Sequence, residues 1–336
     1  MNKISKSLGY ASRVQSFSLQ KPIDEKLGEI IGEKWVEYRK QWKRVSSTEL
    51  ETDFSLFVLF ENQFACNLKC KMCIHGYEDT KETYKYKGKL DYKIYCNLID
   101  ECVEHNCPSI CLNNINEPLL ENDIFSRIEY ASKKGIIDIH MNTNATLLTK
   151  DKSEMILESG LTRLLIGLDG FNKQEYEGIR IGADYDIVVE NINTLLELKK
   201  KKQNKLPVIR ISLVYQKDNV SNLEGFVRNW LGKADYVSIQ KFYPFDSHYS
   251  KKVKVAEKKT KRKYKNFCTA PWERVTIQGD GAVLPCCSQT ARPLNMGNIH
   301  MSTIYDIWNS SVMRDFRRKH KKLDIKDLPV CQKCLG

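Results

Sequence analysis

The chain has 336 residues, of which 41% are hydrophobic and 29% charged; that length allows one large domain and a small one, and no apolar run is long enough to cross a membrane. The N-terminus, MNKISKSLGYASRVQ, lacks the apolar stretch of a secretory signal, so the chain reads as cytoplasmic, where twelve cysteines point to metal or redox chemistry rather than disulfides. The net charge of +12 suits an anionic substrate or an acidic partner, and without a compact nucleic-acid motif it does not argue for nucleic acid.

Residues 1–50 read as a polar, partly helical extension, with Leu27, Ile30, Ile31, Trp35 and Tyr38 at helical spacing. From residue 54 short β-branched and aromatic runs alternate with amphipathic ones. Strands are predicted at 54–62, 109–113, 137–142, 163–168, 207–215 and 236–243. Helices are predicted near 90–105, 123–134, 150–159, 185–201 and 222–233. Repeated strand-then-helix order predicts a parallel sheet with helices outside. Six units are too few for a closed eightfold barrel, so the expected fold is α/β, a partial (β/α)6 TIM-like barrel over residues 51–243. Residues 244–267 are a dense basic stretch and read as a linker. Residues 268–336 form a small C-terminal unit: a β-hairpin around Gly279-Asp280-Gly281, then a helix capped by Ser302 or Thr303.

Directly after the first predicted strand comes CNLKCKMC, residues 66–73. Three thiolates can bind three irons of a 4Fe–4S cube and leave the fourth iron open to a small molecule. A zinc site with a distant fourth ligand such as His75, or buried free cysteines, is the alternative.

The spacing Cys66-x3-Cys70-x2-Cys73 is similar to the signature of radical S-adenosylmethionine enzymes, and later segments extend the resemblance. NNINEPLL resembles that family's Gly-Gly-Glu-Pro segment, with Asn114 and Asn116 where glycines are common; asparagine tolerates the left-handed backbone, so the turn is expected to survive. MNTNATLL resembles its TNG segment, and LLIGLDG has Gly167 where the family often has serine. The resemblance implies that S-adenosylmethionine sits on the open iron. It implies contacts from Met72, Asn114, Asn116, Glu117, Asn144, Asp169, Arg180 and Gln216, each near the carboxyl end of a predicted strand, where β/α barrels carry their active sites. Plain packing for Met72, a loop position for Glu117, a helix cap for Asn144 and scaffold roles for Asp169 and Arg180 are the competing readings.

Cys268, Cys286, Cys331 and Cys334 resemble the twitch form of the SPASM extension, which carries one auxiliary 4Fe–4S cluster, and their spacing is close to that of 2-deoxy-scyllo-inosamine dehydrogenases. Four thiolates could also bind zinc. Cys287 is left as a spare thiol, a candidate hydrogen donor, and Cys96, Cys102, Cys107 and Cys111 read as packing residues. The resemblance implies two 4Fe–4S clusters, S-adenosylmethionine and an electron from an acidic flavodoxin or ferredoxin. It also implies a 5′-deoxyadenosyl radical that takes hydrogen from a small-molecule substrate. A carbohydrate or aminocyclitol alcohol oxidised to a ketone is the first expectation, and the charge favours a phosphorylated or nucleotide-linked sugar. Epimerisation through a cysteine, peptide maturation and a non-enzymatic iron–sulfur sensor or carrier are the alternatives.

Overall fold

The computed structural model describes residues 14–48, 50–78, 82, 84–242 and 268–335. The basic stretch 244–267 lies outside the described residues. Ten strands make one sheet: β1 (Val14–Phe17), β2 (Phe57–Glu61), β3 (Ser109–Cys111), β4 (Asp138–Thr143), β5 (Arg163–Gly167), β6 (Val208–Tyr215), β7 (Tyr236–Lys241), β8 (Arg274–Gln278), β9 (Ala282–Leu284) and β10 (Gly297–Asn298). Their order is β1-β7-β6-β5-β4-β3-β2-β8-β9-β10. The seven strands from β7 to β8 are mutually parallel, while β1 and the β9–β10 pair border them in antiparallel register. The sheet does not close on itself, as expected for a partial barrel.

The six predicted barrel strands all form, each within two or three residues of its expected bounds. The connecting helices also form: α3 (Tyr92–Glu104), α4 (Ile124–Lys133), α5 (Lys150–Glu158), α7 (Tyr185–Lys201) and α8 (Leu223–Trp230), the helices α1, α2 and α6 being described below. Their starts are fixed chemically. Asp91, Thr149 and Asp184 accept backbone N–H bonds at the first turns of α3, α5 and α7, satisfying donors with no partner inside the helix.

Four features were not foreseen. The N-terminal helical stretch is two helices, α1 (Ile23–Ile31) and α2 (Glu33–Ser46), broken at Gly32, whose φ of 88° favours glycine. An extra helix, α6 (Lys173–Ile179), follows β5. The C-terminal hairpin is not a separate sheet: β8 pairs with β2 in parallel over five residues, from Phe57 opposite Arg274 to Glu61 opposite Gln278. The helix expected after it is likewise two, α10 (Ile304–Trp308) and α11 (Ser311–Lys321), numbered after the short α9 (Ala270–Glu273), with Thr303 and Ser310 as their caps. One hydrophobic cluster includes Val58 and Ile110 from the barrel together with Val275, Ile304 and Trp308. Among the described residues no helix is long and apolar enough to cross a membrane.

Strand alternation sorts the two faces of the sheet. In β6, Ile209, Ile211 and Leu213 belong to the same cluster as Phe226 and Val227 of α8, so Arg210 and Ser212 face the other way, into the lumen. In β4, Ile139 and Met141 are fully buried while the lumen-facing His140 and Asn142 keep partial exposure. The helix side is therefore dry and the lumen is accessible. Its amino-terminal end is filled by α2, whose Trp35 and Tyr38 pack with Val208 and Tyr236 and whose Trp42 meets Phe57 and Leu59.

Gly279, at the turn after β8, lies so close to the barrel that a Cβ would press on the Asn62 carbonyl oxygen and lie 2.9 Å from that of Gly88. Backbone atoms cannot rotate away. Gly279→Ala is expected to destabilise the protein by about 1–3 kcal/mol, read as a lower thermal midpoint with secondary structure retained.

Candidate active site

The loop after β2 is shaped by backbone bonds. Lys69 N–H donates to the Ile181 carbonyl (2.9 Å) and Lys71 N–H to Ile179 (3.0 Å), tying the loop to the end of α6. Cys73 N–H donates to Cys70 at 3.0 Å, and Gly76 N–H to Cys73 at 2.9 Å. A Cβ at Gly76 would strike the Cys70 carbonyl, so the fold-back needs glycine. This turns Cys66, Cys70 and Cys73 into an apolar nest with Leu68, Met72, Tyr77, Ile179 and Phe242. Burial raises all three thiols, Cys70 to about 11 and Cys73 to about 12, and in both cases a neighbouring cysteine of the trio adds to the shift. Among the described residues no three His, Cys, Asp or Glu side chains converge as they would on a single ion. A cube places each thiolate on its own iron, and soft sulfur donors suit it. Three clustered thiols fit that donor set. The His75 ring packs 4.5 Å from that of Phe64.

Beside the thiols stand the ends of β3 to β6. Glu117 is buried, and its carboxylate accepts from the Thr143 hydroxyl (2.7 Å), the Asn144 N–H (2.8 Å) and the Leu119 N–H (3.1 Å). Asn144 does not cap α5, because Thr149 does. Its amide instead donates to Asn67 at 2.9 Å and lies 3.9 Å from the Cys66 sulfur. Asp169 is fully buried; it accepts from Arg180 Nε (2.7 Å) and from Val214 N–H (2.6 Å). A side chain at Gly167 would collide with the Arg180 guanidinium. The absent serine hydroxyl is therefore replaced by a cation, which is close enough to Cys66, Cys70 and Cys73 to favour their charged forms. Gln216 is 1% exposed and neither amide atom has a partner among the described residues.

The asparagines of the second loop depart from expectation. Neither Asn114 nor Asn116 has a positive φ; Ala145 does, at 60°. The turn is held by side chains instead: Asn116 accepts from Asn114 N–H at 3.2 Å and donates to Glu121 at 2.8 Å, and Asn114 donates to Glu61 at 3.1 Å.

Sequence reasoning missed Glu61, Gln278 and Gln289. Gln289, from the C-terminal segment, accepts from Ile74 N–H at 2.9 Å, just after the cysteine loop. Glu61 ends β2 on the lumen face, fully buried, with one carboxylate oxygen unpartnered. Its strand end was legible; the neighbour β8, which buries it, was not.

The second cysteine set also assembles. Burial raises Cys268, Cys286 and Cys331, the last to about 12; Cys286 is further raised by Cys268 and Cys331, and Cys268 by Cys334. Cys287 is exposed and lies 3.8 Å from an Arg274 nitrogen, with Cys111 also near it. Cys287 is also the strongest charge neighbour of Cys286, so the adjacent thiols lie close together. Cys102 and Cys107 are core residues.

Two family models match the chain. The model of the radical SAM superfamily matches residues 63–228, and that of the SPASM iron–sulfur cluster-binding domain matches residues 268–335. A GTP 3′,8-cyclase from Alkaliphilus oremlandii is 31% identical over 134 residues, covering 40% of this chain and 41% of that protein; the chain thus spans about two fifths of that curated relative. The structure of BtrN in complex with AdoMet and 2-DOIA has a TM-score of 0.57 at 18% identity, covering 85% of this chain and 95% of the other. Streptococcus suis SuiB bound to its precursor peptide SuiA has a TM-score of 0.57 at 16% identity, covering 94% and 77%. At these identities the solved structures speak for the fold.

Burial pushes Glu61 up to about 8 from its ordinary 4.5, against the pull of Asn114 and Tyr86. A raised carboxyl binds its proton more tightly when folded, so its stabilising effect is complete below about 4.5 and is lost as pH rises towards 8. The thermal midpoint is expected to fall between pH 5 and 9, and in Glu61→Gln to fall less, by the equivalent of a few kcal/mol. Glu121, pushed to about 7 by burial, would supply the residual slope.

The two family matches, over residues 63–228 and 268–335, place this chain in the radical SAM superfamily, with a 4Fe–4S cluster and S-adenosylmethionine as cofactors and a SPASM iron–sulfur domain over residues 268–335.

Proposed function

We propose that this enzyme oxidises an alcohol of a small polar substrate, carbohydrate or aminocyclitol, to a ketone. Cys66, Cys70 and Cys73 hold the first cluster, and Cys268, Cys286, Cys331 and Cys334 hold the auxiliary one. Glu117, Asn144, Arg180, Gln216 and Met72 would line the S-adenosylmethionine site; Asp169 positions Arg180, and Asn114 and Asn116 hold the loop. Together the bound cofactors supply a 5′-deoxyadenosyl radical, which takes one hydrogen atom, and an acceptor for the one electron that remains once the hydroxyl proton has left.

One observation carries the reading: a single sheet brings both cysteine sets to one polar lumen. β2 leads into Cys66 at its carboxyl end, while Cys268 precedes β8, the parallel neighbour of β2, and Cys286 follows β9, which returns antiparallel to β8. On this reading a substrate in the lumen would lose hydrogen on the Cys66 side and an electron on the Cys268 side. A second reading, epimerisation, has Cys287 beside Arg274 in its favour. An acidic flavodoxin or ferredoxin suits the net charge of +12 as reductant.

Anaerobically reconstituted, reduced protein is expected to form 5′-deoxyadenosine from S-adenosylmethionine, and Cys66→Ala to form none. With 2-deoxy-scyllo-inosamine the product should be two hydrogens lighter in mass, and Cys268→Ala should lose that product while retaining 5′-deoxyadenosine. In deuterated water, a product altered only by one incorporated deuterium would mean epimerisation, and an isomer formed from GTP would mean a cyclase.

Gly167→Ser tests the cation beside the trio. Its side chain should displace Arg180 and weaken S-adenosylmethionine binding by about tenfold or more, read by calorimetry. Unchanged affinity would remove Arg180 from the site.

A further inference from the structure

Three guanidiniums rise from the lower lumen, and two are neutralised. Arg163 makes a bidentate pair with Asp138, Nε to Oδ1 at 2.7 Å and Nη2 to Oδ2 at 2.5 Å. Arg274 pairs with Glu273 at 2.6 Å. Arg210, on β6, has no hydrogen bond or ion pair among the described residues and is only partly exposed. His140, the titratable side chain nearby, offers no compensation: burial and then the guanidiniums hold it well below its ordinary value, hence neutral. A half-buried cation without a counter-charge is costly unless a ligand supplies one.

Its neighbours on the lumen face are donors. Ser212 lies two residues further along β6, about 6.6 Å away by strand geometry. Ser212 pairs in register with Ser238 of β7. Ser238 is fully buried, and its hydroxyl has no partner. Gln240 donates its amide to the Ser212 oxygen at 2.8 Å, which leaves the Ser212 proton free to donate. The patch thus offers a guanidinium fork and two hydroxyl protons, and none of its four side chains is a carboxylate.

We propose that Arg210, Ser212 and Ser238 seat a phosphate group of the substrate. This rests on the reading of the lumen as the substrate chamber and, among the alcohols that chamber would take, favours those carrying a phosphate. A carboxylate is satisfied by the fork alone, whereas donors spread over two strands match the tetrahedral oxygens of a phosphate. The patch lies on the wall away from β2, so a substrate anchored there by its phosphate places the rest of itself across the lumen.

The test is calorimetric titration of inorganic phosphate into the full-length, cluster-loaded protein with S-adenosylmethionine bound, at 0.15 M salt to suppress surface binding. One saturable site is expected. Arg210→Gln should weaken it by about tenfold to a hundredfold and Ser238→Ala by about threefold to tenfold. Arg210→Lys, which keeps the charge but loses the fork, should fall between the wild type and Arg210→Gln, and acetate should bind about tenfold more weakly than phosphate. Absence of a saturable site, equal affinity in Arg210→Gln, or acetate binding as tightly as phosphate overturns the proposal. Cluster absorbance and S-adenosylmethionine affinity check the folding of Arg210→Gln. If that variant fails the check, unchanged phosphate affinity in Ser238→Ala overturns the proposal equally. Binding is read without turnover, so failure here is distinct from failure of the alcohol-oxidation reading.

Discussion

The parallel ladder between β2 and β8 is the constraint on which the rest depends. β2 delivers the first cysteine loop and Glu61; β8 delivers Gln278 and, through its hairpin, the second cysteine set. Five register pairs bind them, and slipping by one residue would turn Glu61 out of the lumen. The contact is reinforced beyond the ladder. Arg292, from the C-terminal segment, pairs with Asp280 and Gln278 and lies 5.2 Å from the Tyr86 ring, and the Tyr86 hydroxyl bonds the Glu61 carbonyl at 2.7 Å. Trp308 Nε1 donates to the Thr52 carbonyl at 2.8 Å. The placement of the segment after β8 against the barrel is therefore a property of the sheet and not of a flexible joint.

Local preorganisation explains how the thiols are gathered before any cofactor binds. Burial raises their proton affinity, so cluster assembly must release protons as thiolates form. The loop offsets part of that cost by being shaped already. Gly76 lets the chain cross Cys70, and two backbone bonds hold it to the end of α6. Arg180, fixed by Asp169, adds positive charge where negative charge will accumulate. Gly167 belongs to the same arrangement, since the space it vacates is the space the guanidinium fills.

Much of this was legible in the sequence because it is local. Hydrophobic runs of period two and 3.6 placed the barrel strands and their helices, and cysteine spacing separated the two sets. Gly-x4-Cys was the spacing that set Cys286 apart from Cys287. What was not legible depends on contacts between distant residues. Nothing in RVTIQ announces that it will pair with FVLFE, since parallel partners share no turn. Asn114 and Asn116 were read as substitutes for glycine by backbone preference, but their side chains found partners in Glu61 and Glu121, and the backbone had no need of the left-handed region. The break at Gly32 follows the same logic in reverse: helical spacing runs through it, and only packing of Trp35 and Tyr38 under the barrel shows why the chain must turn there.

The lumen wall carries the last step. A barrel interior built only for stability would be filled with branched aliphatic residues, as the helix side of this sheet is. Here the face bearing Arg210, Ser212, Ser238 and Gln240 forgoes that gain, and Arg210 and the Ser238 hydroxyl stay uncompensated within the fold. Uncompensated polar groups lower stability, so their concentration on one wall is intelligible if a ligand completes them. Glu61 occupies another part of the lumen, neutral near pH 7 by virtue of its burial, and so does not compete for the Arg210 charge. The chamber is polar without being self-satisfied: it can hold a substrate rich in oxygen by hydrogen bonds from several strands, and it distinguishes the two ends of that substrate by charge. Such a fixed orientation would present one particular carbon to the cysteine loop above, and for a radical that attacks whatever is nearest, position is the means of selectivity.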